Sequence, residues 1–185
     1  MTMLEQRIQQ QFFEGADLKY QSAEPLGRIV AAASQSLLHA ITAGGKVLVC
    51  GSGFGAPLAQ HFAAVLMGRF ERERPPLAAL ALAADGALGA AVQALGAPGD
   101  VLVVLDAGGP HEAVLAASDA AAAGELTRIV LTDASGARWR GRLTDTDVLI
   151  PVPHDRPARL MELQLLALHS LCDALDLQLL GEQDT

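Results

Sequence analysis

Residues 46–70 read KVLVCGSGFGAPLAQHFAAVLMGRF: an apolar run, a glycine-rich turn and an apolar helical stretch in direct succession. The run is apolar at nearly every position instead of alternating, as a strand covered on both faces must be. Working outward, Lys46–Cys50 is joined by four more such runs, Leu77–Leu82, Val101–Leu105, Arg128–Leu131 and Val148–Val152. Helical stretches fall between them at Ala56–Phe70, Ala87–Leu95 and Glu112–Ala123, and a long one starts at Pro157. Strands alternating with helices require right-handed crossovers. The expected class is therefore α/β, a three-layer α/β/α sandwich around a five-stranded, parallel, flavodoxin-like sheet.

Two helices are predicted ahead of the first strand. Leu4, Ile8 and Phe12 recur every four residues in one of them. The second begins at Pro25, carries Leu26, Ile29, Val30, Ala33, Leu37 and Ile41 on its inner face, and ends at Gly44-Gly45. No linker or repeat interrupts the chain, so a single domain is expected, with N-terminal helices over 1–44, a sheet core over 45–156 and a C-terminal helix and tail over 157–185. That last helix has leucines on every side, from Leu160 to Leu180. A helix apolar all round must be buried all round, which implies a homo-oligomer.

Composition removes several function classes. Thirteen Lys and Arg against 21 Asp and Glu give a net charge of −8, the wrong sign for direct binding to nucleic acid. Cys50 and Cys172 lie in apolar stretches, as small core hydrophobes do, and a reducing, cytoplasmic setting is expected. The opening MTMLEQRIQQQFF lacks the charged-then-apolar pattern of a signal peptide, and no uncharged apolar stretch suits a membrane span.

In a doubly wound sheet, ligands bind beyond the carboxyl ends of the strands. The first strand enters Gly51-Ser52-Gly53-Phe54-Gly55 just before a helix, where backbone N–H groups can meet an anion. The spacing is not that of a dinucleotide site, which needs a third glycine three residues after the second.

The stretch GSGFGAPLAQHFAAVLMGRFERERPPLAALAL resembles the opening of sugar isomerase (SIS) domains of the phosphoheptose isomerase group. That group carries a Gly-Asn-Gly-Gly-Ser turn, Ala-Gln-His-Phe-Ala-Ala, Gly-Arg-Phe and Glu-Arg-Pro. The closing IPVPHDRPARLMELQLLALHSLCDALD resembles the group's Val-Pro-Ser, Ala-Arg-Ile-Gln-Glu and Leu-Cys segments. Within the group, LCDALDLQLLGEQDT is most similar to the DiaA-like members, non-catalytic proteins that associate with the replication initiator DnaA.

The resemblance implies a ligand pocket at Ser52, Gly53, Gly55, Asp85, Asp106, Gly108 and His111, and it implies remnant catalytic positions at His61, Glu162 and His169. Several positions depart from the group. Its phosphate-holding Ser-Thr-Ser-Gly-Asn-Ser loop is Asp106-Ala107-Gly108-Gly109-Pro110-His111 here. A carboxylate facing a phosphate about 4 Å away would cost about 1 kcal/mol per charge pair in water and several at a partly buried site. The group's glutamate is Val65, its glutamine Met161, and a further histidine Gln164. The connection from Asp85 to Gly96 is shorter than usual, which removes one wall of the sugar site. Two histidines alone make a poor metal site, so no metal or cofactor is expected, and His61 reads first as a packed, hydrogen-bonded helix residue.

These departures lead to the expectation of a non-catalytic, degenerate SIS-domain homo-oligomer, a tetramer by resemblance, that binds DnaA. Leu179 and Leu180 are the candidate contacts, with core or subunit packing as their other reading. The alternatives are a sedoheptulose 7-phosphate isomerase of lipopolysaccharide heptose synthesis and a sugar-derivative sensor anchored by Asp106. The run Arg138-Trp139-Arg140-Gly141-Arg142 reads as a solvated loop.

Overall fold

The computed structural model describes residues 1–83, 87–108 and 111–182. Five strands form one parallel sheet: β1 (Val47–Gly53), β2 (Ala79–Ala81), β3 (Val101–Ala107), β4 (Thr127–Thr132) and β5 (Val148–Pro151). Their order is β2-β1-β3-β4-β5. The helices are α1 (Met3–Thr42), α2 (Gly55–Met67), α3 (Leu88–Leu95), α4 (Glu112–Ala123) and α5 (Pro157–Leu180).

The inner strands are mainly apolar because each face of the sheet meets its own helical layer. Val47, Val49, Val101, Val103, Leu105, Ile129 and Leu131 pack with α1, α2 and α5. The intervening Leu48, Cys50, Leu102, Val104 and Val130 pack with α3 and α4 on the other face. A one-residue slip in any strand would exchange the two sets, so register is strongly specified. Burial pushes the Cys50 thiol up to about 12, and the same cause acts on Cys172. Both are buried hydrophobes that remain thiols in the folded chain.

Two expectations need correction. The N-terminal segment is one helix, not two, and Pro25 lies inside it. Proline removes one intrahelical hydrogen bond. Here the buried residues Ser22, Leu26 and Val30 hold the turns on either side of it against the body. The helix start at Pro157, by contrast, is as expected, with the proline in the first turn.

The second correction concerns α5. It is long and apolar enough to cross a membrane by length and composition, but it packs along the subunit's own core through Leu168, Leu171, Cys172 and Leu175. Only Leu166, Leu177 and Leu180 among its leucines are well exposed. The larger uncovered apolar surface belongs instead to the first half of α1, where Leu4, Ile8, Phe12, Phe13 and Tyr20 all face outward.

Arginines tie the ends of α2 and α5 together. Arg74 donates from Nη1 to the Leu66 carbonyl (2.8 Å) and from Nη2 to the Val65 carbonyl (3.1 Å), satisfying the end of α2. Its Nε meets Asp176 Oδ1 of α5 at 2.6 Å, and both side chains are buried. Arg72 donates to the Gly181 carbonyl at 2.7 Å, just past the end of α5. The RFERERP stretch is thus a helix-end clamp. At the amino end of the central strand β3, burial alone would raise the Asp100 carboxyl. Hydrogen bonds from the Lys46 side chain and from the Lys46 and Ala97 backbone, with the Lys46 charge, hold it below the usual carboxylate range.

Candidate functional site

Strand order reverses about β1, between β2 on one side and β3 on the other, so the crevice for a ligand opens at the carboxyl ends of β1 and β3. Two features flank that end: a buried carboxylate cluster around Asp106, and a histidine pair bridging α2 and α5.

The glycine turn is built by packing. Gly53 has φ +52, and a Cβ there would fall 1.6 Å from the Gly108 carbonyl oxygen. A Cβ on Gly55 would fall 2.1 Å from the Leu105 carbonyl oxygen. Only glycine lets the start of α2 lie this close to the end of β3. Phe54, between them, is exposed. Gly108 follows β3 with φ +78 and is open to added atoms. Asp85 lies outside the described residues.

Asp106 is almost fully buried, and five side chains converge on it. Its Oδ1 accepts from Ser52 Oγ (3.2 Å), its direct neighbour across the β1–β3 register, and meets His111 Nδ1 at 2.7 Å. Its Oδ2 accepts from Trp139 Nε1 (2.8 Å), Arg138 Nη1 (3.1 Å) and Thr132 Oγ1 (3.4 Å). This overturns the expected repulsion of a phosphate. The carboxylate points into the protein, and its charge is met by a guanidinium. It also corrects the solvated reading at Arg138 and Trp139, because Trp139 is fully buried in the core on the α3–α4 face, while Arg140, Gly141 and Arg142 are exposed as expected. Thr132, Arg138 and Trp139 were missing from the expected site. The lone tryptophan was the available signal, since a buried indole N–H needs an acceptor.

Beneath the cluster, Gln164 of α5 is fully buried and donates to the carbonyls of Leu131 (3.2 Å) and Asp106 (3.4 Å). It holds the ends of β3 and β4 in place.

His61 and His169 are 108 residues apart in sequence, and their Nε2 atoms lie 2.8 Å apart. His61 is hydrogen-bonded as expected, but it is exposed on α2 instead of packed beneath the sheet edge. It sits six residues along the helix from Gly55, about 9 Å by helical rise. Phe70 tilts against His169, with ring centroids at 5.2 Å. Burial lowers the His169 pKa, the His61 charge lowers it further, and Glu71 acts weakly in the opposite direction. Val65 and Met161 are packed against the apolar core. Among the described residues, no three His, Cys, Asp or Glu side chains are placed to hold a metal ion.

Glu162 does not join the histidines. Both its oxygens are within 2.9 Å of Arg159 Nη1, while Arg159 Nη2 reaches Gln11 of α1. It belongs to the α1–α5 junction. Leu179 packs against the core, and Leu180 is exposed beside it.

Residues 16–133 match the family model of the SIS domain. The chain is 54% identical to the phosphoheptose isomerase of Methylibium petroleiphilum, across 100% of this chain and 99% of that one. It is 41% identical to the phosphoheptose isomerase of Aromatoleum aromaticum, across 96% and 97%. The fold superposes on phosphoheptose isomerase GmhA from Neisseria gonorrhoeae with a TM-score of 0.86, at 34% identity over 94% of this chain and 99% of that one. A phosphoheptose isomerase from Francisella tularensis gives 0.85, at 35% identity over 95% and 99%. These full-length likenesses overturn the expectation of a non-catalytic, DnaA-binding protein and favour the isomerase alternative.

Proposed function

Because the chain belongs to the phosphoheptose isomerase family of SIS-domain proteins, we propose that it interconverts the ketose and aldose forms of a phosphorylated heptose such as sedoheptulose 7-phosphate. The observation that carries this reading is the His61–His169 pair in a chain whose relatives share its full length. The reaction moves one proton between adjacent carbons and another between their oxygens, so it needs a neutral base and an acid within reach of it. At 2.8 Å one imidazole donates and the other accepts. His169, held neutral by burial, takes the proton from carbon, and His61 supplies one to oxygen. The opposite transfers restore both rings, and no net proton is consumed. With Val65 and Met161 in place of acidic and amide groups, the pair alone carries the proton traffic.

Purified protein incubated with sedoheptulose 7-phosphate is expected to produce the aldose heptose 7-phosphate until equilibrium is reached. A well-folded protein that leaves the ketose unchanged would contradict the reading.

The protein works in this account as a cytoplasmic homo-oligomer. The unburied apolar side chains of α1 are the support for assembly, since a large exposed apolar patch marks an interface. Light scattering at micromolar concentration is expected to return a multiple of the 19.2 kDa chain mass. A monomer would rule the assembly out.

A further inference from the structure

His169 is half-buried, and its ring makes one hydrogen bond among the described residues, to His61 through Nε2. No carboxylate or carbonyl among those residues accepts from its Nδ1. A general base is normally oriented by a third group on its far nitrogen. Here orientation has to come from packing, and two rings supply it. His61 and Phe70 lie against the imidazole with centroids at 5.1 and 5.2 Å. Turning the imidazole away from His61 would break both contacts.

Phe70 sits in the connection that follows α2, and that connection is tied to both histidine-bearing helices. Arg74 donates to the Val65 carbonyl of α2, four residues after His61, and to the Asp176 carboxylate of α5, seven residues after His169. Spacings of four and seven return to the same face of a helix. Arg72 adds a second tether just past the end of α5, at the Gly181 carbonyl. The Phe70 side chain is itself partly buried against the apolar core. A ring carried by a connection fixed to both helices and packed on the core has little freedom to move aside.

We propose that Phe70 is a positioning residue for the proton transfer: its ring holds the His169 imidazole opposite His61 and keeps water off part of it. This deepens the isomerase reading and rests on it for the reaction served. Among the described residues, the charges that act on His169 are His61 from α2 and Glu71 from the connection. One turn away along α5, Leu165 and Leu166 are uncharged, Cys172 is a buried thiol and Asp173 is exposed. A change at Phe70 leaves all of these in place, so a shift in the His169 titration reports water reaching the ring.

The test compares Phe70→Leu and Phe70→Tyr with the parent protein by two readouts. One is the pH dependence of kcat and KM with sedoheptulose 7-phosphate. The other is NMR titration of the histidine ring carbons, with the His169 signal assigned from its absence in His169→Asn. Phe70→Leu keeps an apolar side chain but loses the flat ring. It is expected to lower kcat by about tenfold or more, since misplacement by about 1 Å can cost about 100-fold, with a smaller change in KM. Its His169 signal is expected to titrate at higher pH than in the parent, because burial is the main cause that holds that pKa down. The acid limb of the rate profile should move up with it. Phe70→Tyr keeps the ring and should restore both readouts. If Phe70→Leu melts early, Phe70→Met, another flexible apolar side chain, takes its place. Folded Leu or Met variants with the parental kcat and the parental His169 titration would overturn the positioning role while leaving the isomerase reading intact. A parent that turns nothing over, yet whose His169 titration moves in Phe70→Leu and returns in Phe70→Tyr, would uphold the positioning and reject the isomerase.

Discussion

Arg74→Ala is expected to lower the melting temperature by about 6–20 °C, from a loss of about 3–5 kcal/mol when one member of a buried ion pair is removed. Arg74 and Asp176 are both almost wholly buried. Asp176 Oδ2 already lacks a partner among the described residues, so the alanine variant strands a buried carboxylate. It also removes the donor to the Val65 carbonyl at the end of α2, and leaves the Leu66 carbonyl with the Leu77 N–H alone. The pair's worth lies mainly in not being broken, because replacing both members with apolar residues is often close to neutral. Arg74→Met combined with Asp176→Leu should therefore recover most of the lost stability. Thermal melts of the single and double variants check this. A single variant that melts within 2 °C of the parent would show that water reaches the pair.

Asp106→Ala is the second large effect, expected at about 3 kcal/mol or about 6–12 °C. Arg138 is one-third exposed, so its charge is largely solvated once the carboxylate is gone, and little of the loss comes from it. The loss comes from the buried donors. Trp139 Nε1 and the hydroxyls of Ser52 and Thr132 would face apolar surroundings without an acceptor. Asp106→Asn keeps one acceptor oxygen and should cost about 1 kcal/mol. Melts of the two variants separate the readings: if alanine and asparagine were equally mild, the carboxylate would not organise the cluster.

The sheet was legible because its inner strands β1, β3 and β4 are buried on both faces, and apolar runs bounded by glycine and proline mark such strands directly. Glu112–Ala123 appears as expected, and α5 begins at Pro157. β2 is the weakest element, three residues in an alanine-rich run, and alanines favour helix and strand too evenly to fix its ends. The break expected at Pro25 failed because a proline costs one hydrogen bond locally, whereas burial of Leu26, Val30 and Ala33 acts along several turns.

The site was harder to read. Sequence shows that a carboxylate replaces a hydroxyl at position 106, but not which way it points, and direction decides between repelling a phosphate and anchoring two cations. Arg138 and Trp139 come from a connection whose charge suggested solvent. Their partner is on β3, 32 and 33 residues earlier, a proximity that only the β3–β4 pairing supplies. The His61–His169 contact depends in the same way on α5 crossing α2.

The most direct test of the central claim is hydrogen exchange at the reacting carbon. Sedoheptulose 7-phosphate held with the protein in heavy water is expected to take up deuterium next to its carbonyl, followed by mass spectrometry. His169→Asn should slow that uptake by about 100-fold or more, the lower range for loss of a general base. Uptake at the parental rate in the folded His169→Asn variant, or none in the parent, would contradict the account.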